Sequence, residues 1–357
     1  IFVVQYKNME FSNSLIKWYL QNKRDLPWRN TVNPYPIWLS EIMLQQTRVA
    51  QGMPYFMAFM EAFPTVFDLA NAEEEQVLKL WQGLGYYSRA RNLHATAKYI
   101  ATELKGDFPP NYNQLLQLKG VGEYTAAAIA SFAYNEPVAV VDGNVFRVLS
   151  RYFNMDNDIS DGKTKKEFQI LAQELLPNDK AALFNQAIME FGALQCVPKN
   201  PDCENCIFSN SCAALQHKKV NILPVKSKKT KVTNKFFNYL ILKDIQGNFV
   251  VQKRQGKGIW ENLYEFTLIE TEELVSEIDF MNELKATKFY NQLPADITLL
   301  NTEVIQHKLS HQNLHIQFYI LNFNQKIKEA KSLSEIQKLP FPIVIHNFMQ
   351  THCFNSL

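Results

Sequence analysis

Leu118-Lys119-Gly120-Val121-Gly122-Glu123-Tyr124-Thr125-Ala126-Ala127-Ala128 is the stretch on which the fold of this chain turns. Two glycines flank one apolar residue, and an alanine-rich run follows directly. Gly120 and Gly122 permit a tight backbone turn, and Val121 can anchor it in an apolar interior. The amides freed at the start of the next helix then point outward, where they suit a phosphate group. A Gly-x-Gly turn also joins many ordinary helix pairs, so its weight comes from its surroundings. Apolar residues recur at helical spacing over Leu15–Leu20, Gln76–Leu80, Ala90–Ile100, Tyr124–Phe132, Val145–Tyr152, Phe168–Leu176 and Ala181–Phe191. Turns marked by Gly83 and Gly85, Pro109-Pro110, Asp161-Gly162 and Pro177 separate them. The pattern predicts an all-helical region over residues 1–215.

Past Leu223-Pro224 the period changes. Phe236–Lys243 and Asn248–Lys253 are β-rich runs around Gln246-Gly247-Asn248, a hairpin signal, and His315–Phe323 alternates in the same way. A helix is expected between strands over Glu272–Phe289. The second domain is therefore an α+β unit over residues 236–357. Between the two lies a basic linker, residues 216–235. No Asp or Glu occurs from Asn205 to Lys243, whereas Lys218, Lys219, Lys226, Lys228, Lys229, Lys231 and Lys235 do. Such a stretch suits either a phosphate-facing arm or a solvated connector. Over the whole chain the net charge is only +2, which argues little for nucleic acid. The opening Ile1-Phe2-Val3-Val4 run is too short for a signal core or a membrane span.

Four of the five cysteines form Cys196-x6-Cys203-x2-Cys206-x5-Cys212. With no secretory signal upstream, a shared soft metal centre is favoured over disulfides. The spacing alone leaves an iron–sulfur cluster and an all-cysteine zinc site both open.

Candidate chemistry lies upstream. Pro36–Gln51 reads as one helix, with Glu41 and Gln45 on the same face and able to look into one cleft. Apolar Ile42, Met43 and Leu44 beside Glu41 would raise its pKa. In Val138-Ala139-Val140-Val141-Asp142-Gly143-Asn144-Val145, an apolar extended run delivers Asp142 to the mouth of a helix. Asp142 or Asn144 could simply cap that helix. A carboxylate so placed is expected to have a depressed pKa and to stay ionised. Trp81-Gln82-Gly83-Leu84-Gly85-Tyr86-Tyr87-Ser88-Arg89-Ala90-Arg91 sets two tyrosines beside two arginines at a second glycine-bracketed turn. Aromatics there can enter a base stack while arginines hold phosphates, or they can pack the turn against its own domain.

Taken together, these segments resemble the adenine DNA glycosylases of the helix–hairpin–helix superfamily. The matching residues are Leu26-Pro27-Trp28-Arg29, Glu41-Ile42-Met43-Leu44-Gln45-Gln46-Thr47-Arg48-Val49, Gly83 to Leu93, Gly120 to Ala126, Val141 to Leu149 and the cysteine spacing. The resemblance implies a [4Fe-4S] cluster at Cys196, Cys203, Cys206 and Cys212. It also implies base excision repair: hydrolysis of the N-glycosidic bond of adenine opposite 8-oxoguanine or guanine in duplex DNA. Catalytic roles fall on Glu41, Asp142 and Tyr124. The wedge beside the oxidised guanine falls on Tyr86, and an intercalating glutamine on Gln45 or Gln46. Further DNA contacts are expected at Arg29, Arg48, Tyr87, Arg89, Gly120, Gly122 and Asn144. Trp260-x2-Leu263-Tyr264-Glu265-Phe266 and Leu309-Ser310-His311 resemble the family's Nudix-like recognition domain, with Ser310 and His311 reading the lesion. Leu309 and Lys119 depart from the family's usual Phe and Pro. Relatives that also cleave the strand carry a nucleophilic lysine where Tyr124 stands, so a monofunctional enzyme is expected. No glutamate-rich metal-binding helix occurs in Glu270–Phe289, which argues against a Nudix hydrolase. The implied protein is a cytoplasmic bacterial monomer, nucleoid-associated when on DNA and without a membrane partner.

Overall fold

The structure, a computed structural model, describes residues 2–227, 231–276, 278–280, 284 and 297–352, with side chains from Met9 onward. The chain divides into two compact units. One comprises Ile1–Asn71 and Asn92–Lys228, the other Ala72–Arg91 and Lys229–Leu357. Helices in chain order are α1 (Phe2–Asn22), α2 (Pro34–Met43), α3 (Val49–Ala62), α4 (Val66–Asn71), α5 (Glu74–Leu80) and α6 (Tyr87–Thr102). They continue with α7 (Tyr112–Leu115), α8 (Glu123–Tyr134), α9 (Gly143–Tyr152), α10 (Gly162–Leu175), α11 (Ala181–Leu194) and α12 (Ala213–Gln216).

The first unit is helical. Phe11, Leu15 and Trp18 of α1 join Val145, Val148 and Leu149 of α9, Phe168 of α10, and Phe184, Ile188 and Phe191 of α11 in one core. At the hairpin, the Asn111 side chain caps α7 by accepting from the Gln114 amide at 3.0 Å. The Val121 amide then donates to the Leu118 carbonyl at 3.1 Å, and Thr96 Oγ1 donates to the Lys119 carbonyl at 2.7 Å. Gly120 has φ +78°, and a Cβ there would lie 2.7 Å from Asn92 Cβ. Both its backbone and its neighbour thus demand glycine. Val121 is buried beneath the turn, and α8 leaves it with its alanines in the interior.

The helix expected over Pro36–Gln51 is two helices. Asn33 caps α2 and prolines fill its first turn, but the helix stops at Met43. Gln46 takes a left-handed φ of 57° and α3 begins at Val49. The chain folds back so closely that a Cβ on Gly52 would sit 2.7 Å from Leu44 Cδ2. Periodicity does not register a one-residue reversal of this kind.

The second unit is α+β. Strand β1 (Thr233–Lys243) lies at the centre of the sheet and buries Phe237–Leu242 without interruption. It is followed by β2 (Gln252–Lys253), β3 (Tyr264–Glu265), β4 (Thr267–Thr271), β5 (Ile297–Leu299), β6 (Ile305–Lys308) and β7 (Gln312–Asn322). The sheet order is β4-β1-β7-β5, with β6 also on β7; β1 and β7 run parallel and the other pairs antiparallel. As an internal strand, β1 is buried on both faces, and the one polar residue of the run, Asn238, donates to the Ile269 carbonyl at 3.3 Å and to Thr271 Oγ1 at 3.2 Å. The turn after β1 forms as expected, with Asp244 Oδ1 accepting from the Gln246 and Asn248 amides at 2.9 and 2.8 Å. Its returning arm, expected as a strand over Asn248–Lys253, is regular only at Gln252–Lys253, because Phe249 bridges both Lys243 and Lys331. Residues 278–280 are helical, while most of the helix expected over Glu272–Phe289 lies outside the described residues. Helices α13 (Leu333–Ile336) and α14 (Ile343–Thr351) close the unit.

Residues 72–91 pack with these strands through polar contacts. Glu75 accepts from the Tyr264 hydroxyl at 2.7 Å and pairs with Lys253 at 3.3 Å. Asn262 donates to Glu74 at 2.7 Å, and Arg91 pairs with Glu261 at 2.7 Å. Lys79 Nζ reaches the Gln337 and Leu339 carbonyls at the end of α13.

The hairpin geometry makes a stability prediction. Gly120→Ala should lower unfolding stability by about 2 kcal/mol, from the left-handed backbone and the overlap with Asn92. Gly122→Ala should cost well under that, since its φ is −93° and its Cβ would meet nothing within 4 Å. Urea unfolding of the two variants checks this, and equal losses would refute it.

Candidate active site

In the helical unit, Glu41 of α2, Tyr124 of α8 and Asp142 and Asn144 at the start of α9 line one cleft of about 680 Å³, with Arg29, Gln46 and Arg48. Glu41 is buried among the apolar side chains of its helix. The Tyr124 hydroxyl donates to Glu41 Oε2 at 2.7 Å. Burial pushes the Glu41 carboxyl up to about 7; the Tyr124 bond and the Arg29 charge temper that rise, while the Asp142 charge adds to it. Burial and the neighbouring carboxylates also hold the Tyr124 hydroxyl well above its ordinary pKa, so it stays a donor.

Asp142 caps α9. Its Oδ1 accepts from the Asn144 and Val145 amides, both at 2.8 Å, and its Oδ2 from the Asn144 side-chain amide at 2.7 Å. The depressed pKa expected from these amides is not found. Burial raises the pKa, and the hydrogen bonds only oppose that rise. A helix start was legible in the sequence; the desolvation around it is tertiary.

Two further residues hold the site, and neither was singled out from the sequence. Arg147 donates to Asn144 Oδ1 at 2.7 Å, to the Gly192 carbonyl at 2.5 Å and to the Cys196 carbonyl at 2.7 Å. Arg147 thereby fixes Asn144, which in turn fixes Asp142. Glu190 of α11 is buried and accepts from Arg24 Nη2 at 2.6 Å and Arg29 Nη2 at 2.7 Å. Burial alone would raise its pKa, but the bonds from Arg24 and Arg29 outweigh it and hold the carboxyl at about 2. The available signal was a lone charge within an apolar helical run, Arg147 between Val145 and Leu149 and Glu190 between Ala187 and Phe191.

The remaining expected residues are distributed as follows. Gln45 does not line the cleft; its Nε2 donates to Thr125 Oγ1 at 3.1 Å, while exposed Gln46 does line it. Gly120 and Gly122 form the hairpin turn. Tyr86, Tyr87, Ser310 and His311 line a separate cavity of about 760 Å³ in the α+β unit, whose walls include Phe237, Arg254, Trp260 and His307. There Tyr87 is buried, whereas Tyr86 is exposed with its hydroxyl 2.5 Å from Ser310 Oγ. Arg89 is half-buried, and burial pushes its guanidinium down to about 10.

The expected [4Fe-4S] cluster at Cys196, Cys203, Cys206 and Cys212 is corrected. Among the described residues no group of three or more His, Cys, Asp or Glu side chains is placed to hold a metal ion. The four cysteines are free, and three of their sulfurs are engaged by the protein. Arg151 Nη1 donates to Cys196 at 3.3 Å, the Phe208 amide donates to Cys206 at 3.4 Å, and Cys212 donates to the Arg151 carbonyl at 3.5 Å. Burial pushes the Cys206 thiol to about 11 and raises Cys203 and Cys212. As placed, the four side chains do not form a metal-binding group. Among the described residues no helix is long and apolar enough to cross a membrane.

The helical unit thus pairs a glycine hairpin between helices with a cleft holding two carboxylates, and comparison with known proteins gives its class: a base excision DNA repair protein. The model of the HhH-GPD superfamily base excision DNA repair proteins matches residues 39–174, and that of the NUDIX domain matches residues 238–351. Adenine DNA glycosylase of Buchnera aphidicola (Schizaphis graminum) is 34% identical over 315 residues, covering 88% of this chain and 88% of that protein. The human Adenine DNA glycosylase is 45% identical over 215 residues, covering 58% of this chain and 39% of that protein. A solved thermostable thymine-DNA glycosylase superposes with a TM-score of 0.55 at 30% identity, over 60% of this chain and 99% of its own. An Endonuclease III–DNA complex, at a TM-score of 0.52 and 20% identity over 60% of this chain and 97% of its own, shares the fold. The chain belongs to the adenine DNA glycosylase family.

Burying Glu41 has a cost in stability that depends on pH. Its folded pKa of about 7 lies above the ordinary 4.5, so folding is unpenalised below about 4.5 and loses stability as pH rises through 7. The full penalty is roughly 3 kcal/mol. Glu41→Gln should therefore be the more stable protein at pH 8 by about 1–3 kcal/mol, with the gap closing at pH 4. Urea unfolding at the two pH values checks this; a gap independent of pH would refute it.

Proposed function

We propose that this enzyme removes adenine standing opposite 8-oxoguanine or guanine in duplex DNA, leaving the abasic strand unbroken. Glycosylase action in base excision repair follows from its family, since the relatives it resembles across most of its length are named adenine DNA glycosylases. One observation carries the mechanism: a buried carboxyl with a pKa near 7 shares a cleft with a second carboxylate held by three N–H donors.

The target nucleotide must leave the base stack before its glycosidic bond can be reached. Protonated Glu41 then donates to adenine N7, and the base departs with the electrons of the C1′–N9 bond. Positive charge develops on the sugar, and ionised Asp142 faces it. Glu41, now deprotonated, takes a proton from water as water attacks C1′. Burial raises both carboxyls, but three N–H donors favour the ionised form of Asp142 while Glu41 accepts from Tyr124, and two carboxyls in unlike roles are the logic of glycoside hydrolysis. Tyr124 keeps one Glu41 oxygen occupied and so directs the proton from the other. Arg147 acts through Asn144 to orient Asp142, and Glu190 orients Arg29 at the cleft wall. Tyr124 also stands where strand-cleaving relatives carry lysine, which supports a monofunctional enzyme.

Recognition of the opposite base falls to the α+β unit. Tyr86 enters the stack beside the oxidised guanine, and Ser310 and His311 read its altered edge. Gln46, exposed in a left-handed turn, suits insertion better than Gln45, which is held by Thr125.

Single-turnover assays test this on duplexes with adenine opposite 8-oxoguanine, guanine or cytosine, and with thymine opposite guanine. Adenine opposite 8-oxoguanine should be released fastest, without nicking, and the rate should fall above about pH 7 as Glu41 loses its proton. Glu41→Gln should lose about 10²–10⁴ in rate while still binding duplex. Asp142→Asn should fold and excise very slowly. Ser310→Ala with His311→Ala should narrow the preference for 8-oxoguanine over guanine. Preferred release of thymine, or near-normal excision by Glu41→Gln, would overturn the reading.

A further inference from the structure

Arg89 was expected from its sequence context to grip a phosphate, yet its guanidinium faces the turn. It lies 5.4 Å from the ring centroid of Trp81 and 5.4 Å from that of Tyr86. Trp81 is fully buried and fixed by donation from Nε1 to the Gly85 carbonyl at 3.0 Å. Arg89 Nη2 points at the Leu84 and Gly85 carbonyls over 3.4 and 3.3 Å, and the Arg89 amide donates to the Tyr86 carbonyl at 2.9 Å. Tyr86 has φ 48°, a conformation unfavourable for a bulky L-residue, so contacts around the turn have to hold it there. The cation thus bridges an immovable indole and an exposed phenol.

We propose that Arg89 is a positioning residue for the Tyr86 wedge: its planar cation, seated on Trp81, sets the angle at which the Tyr86 ring enters the base stack. A flat, weakly hydrated guanidinium suits a seat between two rings, whereas a compact, strongly hydrated ammonium can approach one ring face as a point charge but cannot lie flat between two. The inference rests on Tyr86 being the residue that enters the stack, and the test separates failure of that reading from failure of this one.

The probe is the full chain bound to a duplex with adenine opposite 8-oxoguanine and 2-aminopurine beside the lesion. Its fluorescence reports whether an aromatic ring has stacked there. Tyr86→Leu should abolish the wild-type signal. Arg89→Met should weaken it by roughly fivefold, the scale of one lost cation–π contact, although Tyr86 is still present. Arg89→Lys, which preserves charge and disturbs packing least, should fail to restore it. The salt dependence of binding to undamaged duplex should keep its wild-type slope in both Arg89 variants, whereas a lost phosphate contact would reduce it by about 0.9. A wild-type stacking signal in Arg89→Met, or a reduced slope that Arg89→Lys restores, overturns the proposal. If Tyr86→Leu keeps the signal, the wedge reading itself falls and this inference falls with it.

Discussion

Glu41 is a carboxyl that the helical unit holds out of water, and much of that unit follows from doing so. It sits on a helix whose residues from Tyr35 to Met43 are all buried, where a charge is expensive. A single hydroxyl from Tyr124 meets one of its oxygens and does not bring its pKa back to the ordinary carboxylate range. A second carboxylate nearby raises it further. The group is thus poised near neutrality, able to release a proton and take one back. No lower-energy way of burying the side chain would leave it so; a full ion pair, such as Glu190 makes with Arg24 and Arg29, produces the opposite result at about 2. The unit contains both solutions, a carboxyl poised near neutrality and one held ionised.

The same contrast explains how the cleft keeps its shape. Under the proposed function Asp142 and Glu41 act on the substrate, and neither is paired with a cation as Glu190 is. Their positions are set at one remove. Arg147 grips the carbonyls of Gly192 and Cys196 and directs Asn144, whose amide holds Asp142. Glu190 fixes Arg29 without placing another negative charge at the wall, because two guanidinium groups neutralise it. Supporting groups of this kind decide whether a reactive pair stays aligned.

What could be read from the sequence was local. Gly120 announced its left-handed turn because only glycine tolerates both that φ and the approach of Asn92. Asp142 announced a helix start, and the change of period after Leu223 announced strands. Whatever depended on the folded surroundings could not be read. The break between α2 and α3 was hidden because Leu44 to Arg48 contain neither glycine nor proline, so no residue there marks the reversal at Gln46. For Asp142 the sign of the pKa shift was missed, since amides are visible in a helix-start motif and burial is not. The cysteine spacing suggested a shared metal centre and the family resemblance a cluster, but neither registers how the folded side chains are placed or the bonds their sulfurs make with Arg151 and Phe208. Nor did periodicity link residues 72–91 to strands more than 150 positions later, a link made by Glu74, Glu75 and Arg91 with Asn262, Tyr264 and Glu261.

That last link bears on how recognition could be organised. A wedge must be stiff, since a ring that swings on insertion gives up binding free energy in ordering itself. A turn made of Gly83, Leu84 and Gly85 is a poor support for one, because glycine leaves the backbone with the most freedom to lose. Stiffness has to come from outside the turn. Trp81 supplies a buried platform on one side, and the hydroxyl contact with Ser310 supplies a stop on the other. Ser310 and Tyr86 consequently belong to one packed unit, along with the cavity they line. Under the proposed function, the residue that probes the stack and the residue that reads the lesion edge would then respond to the same base as a single rigid element, so a misfit at either would be felt at both.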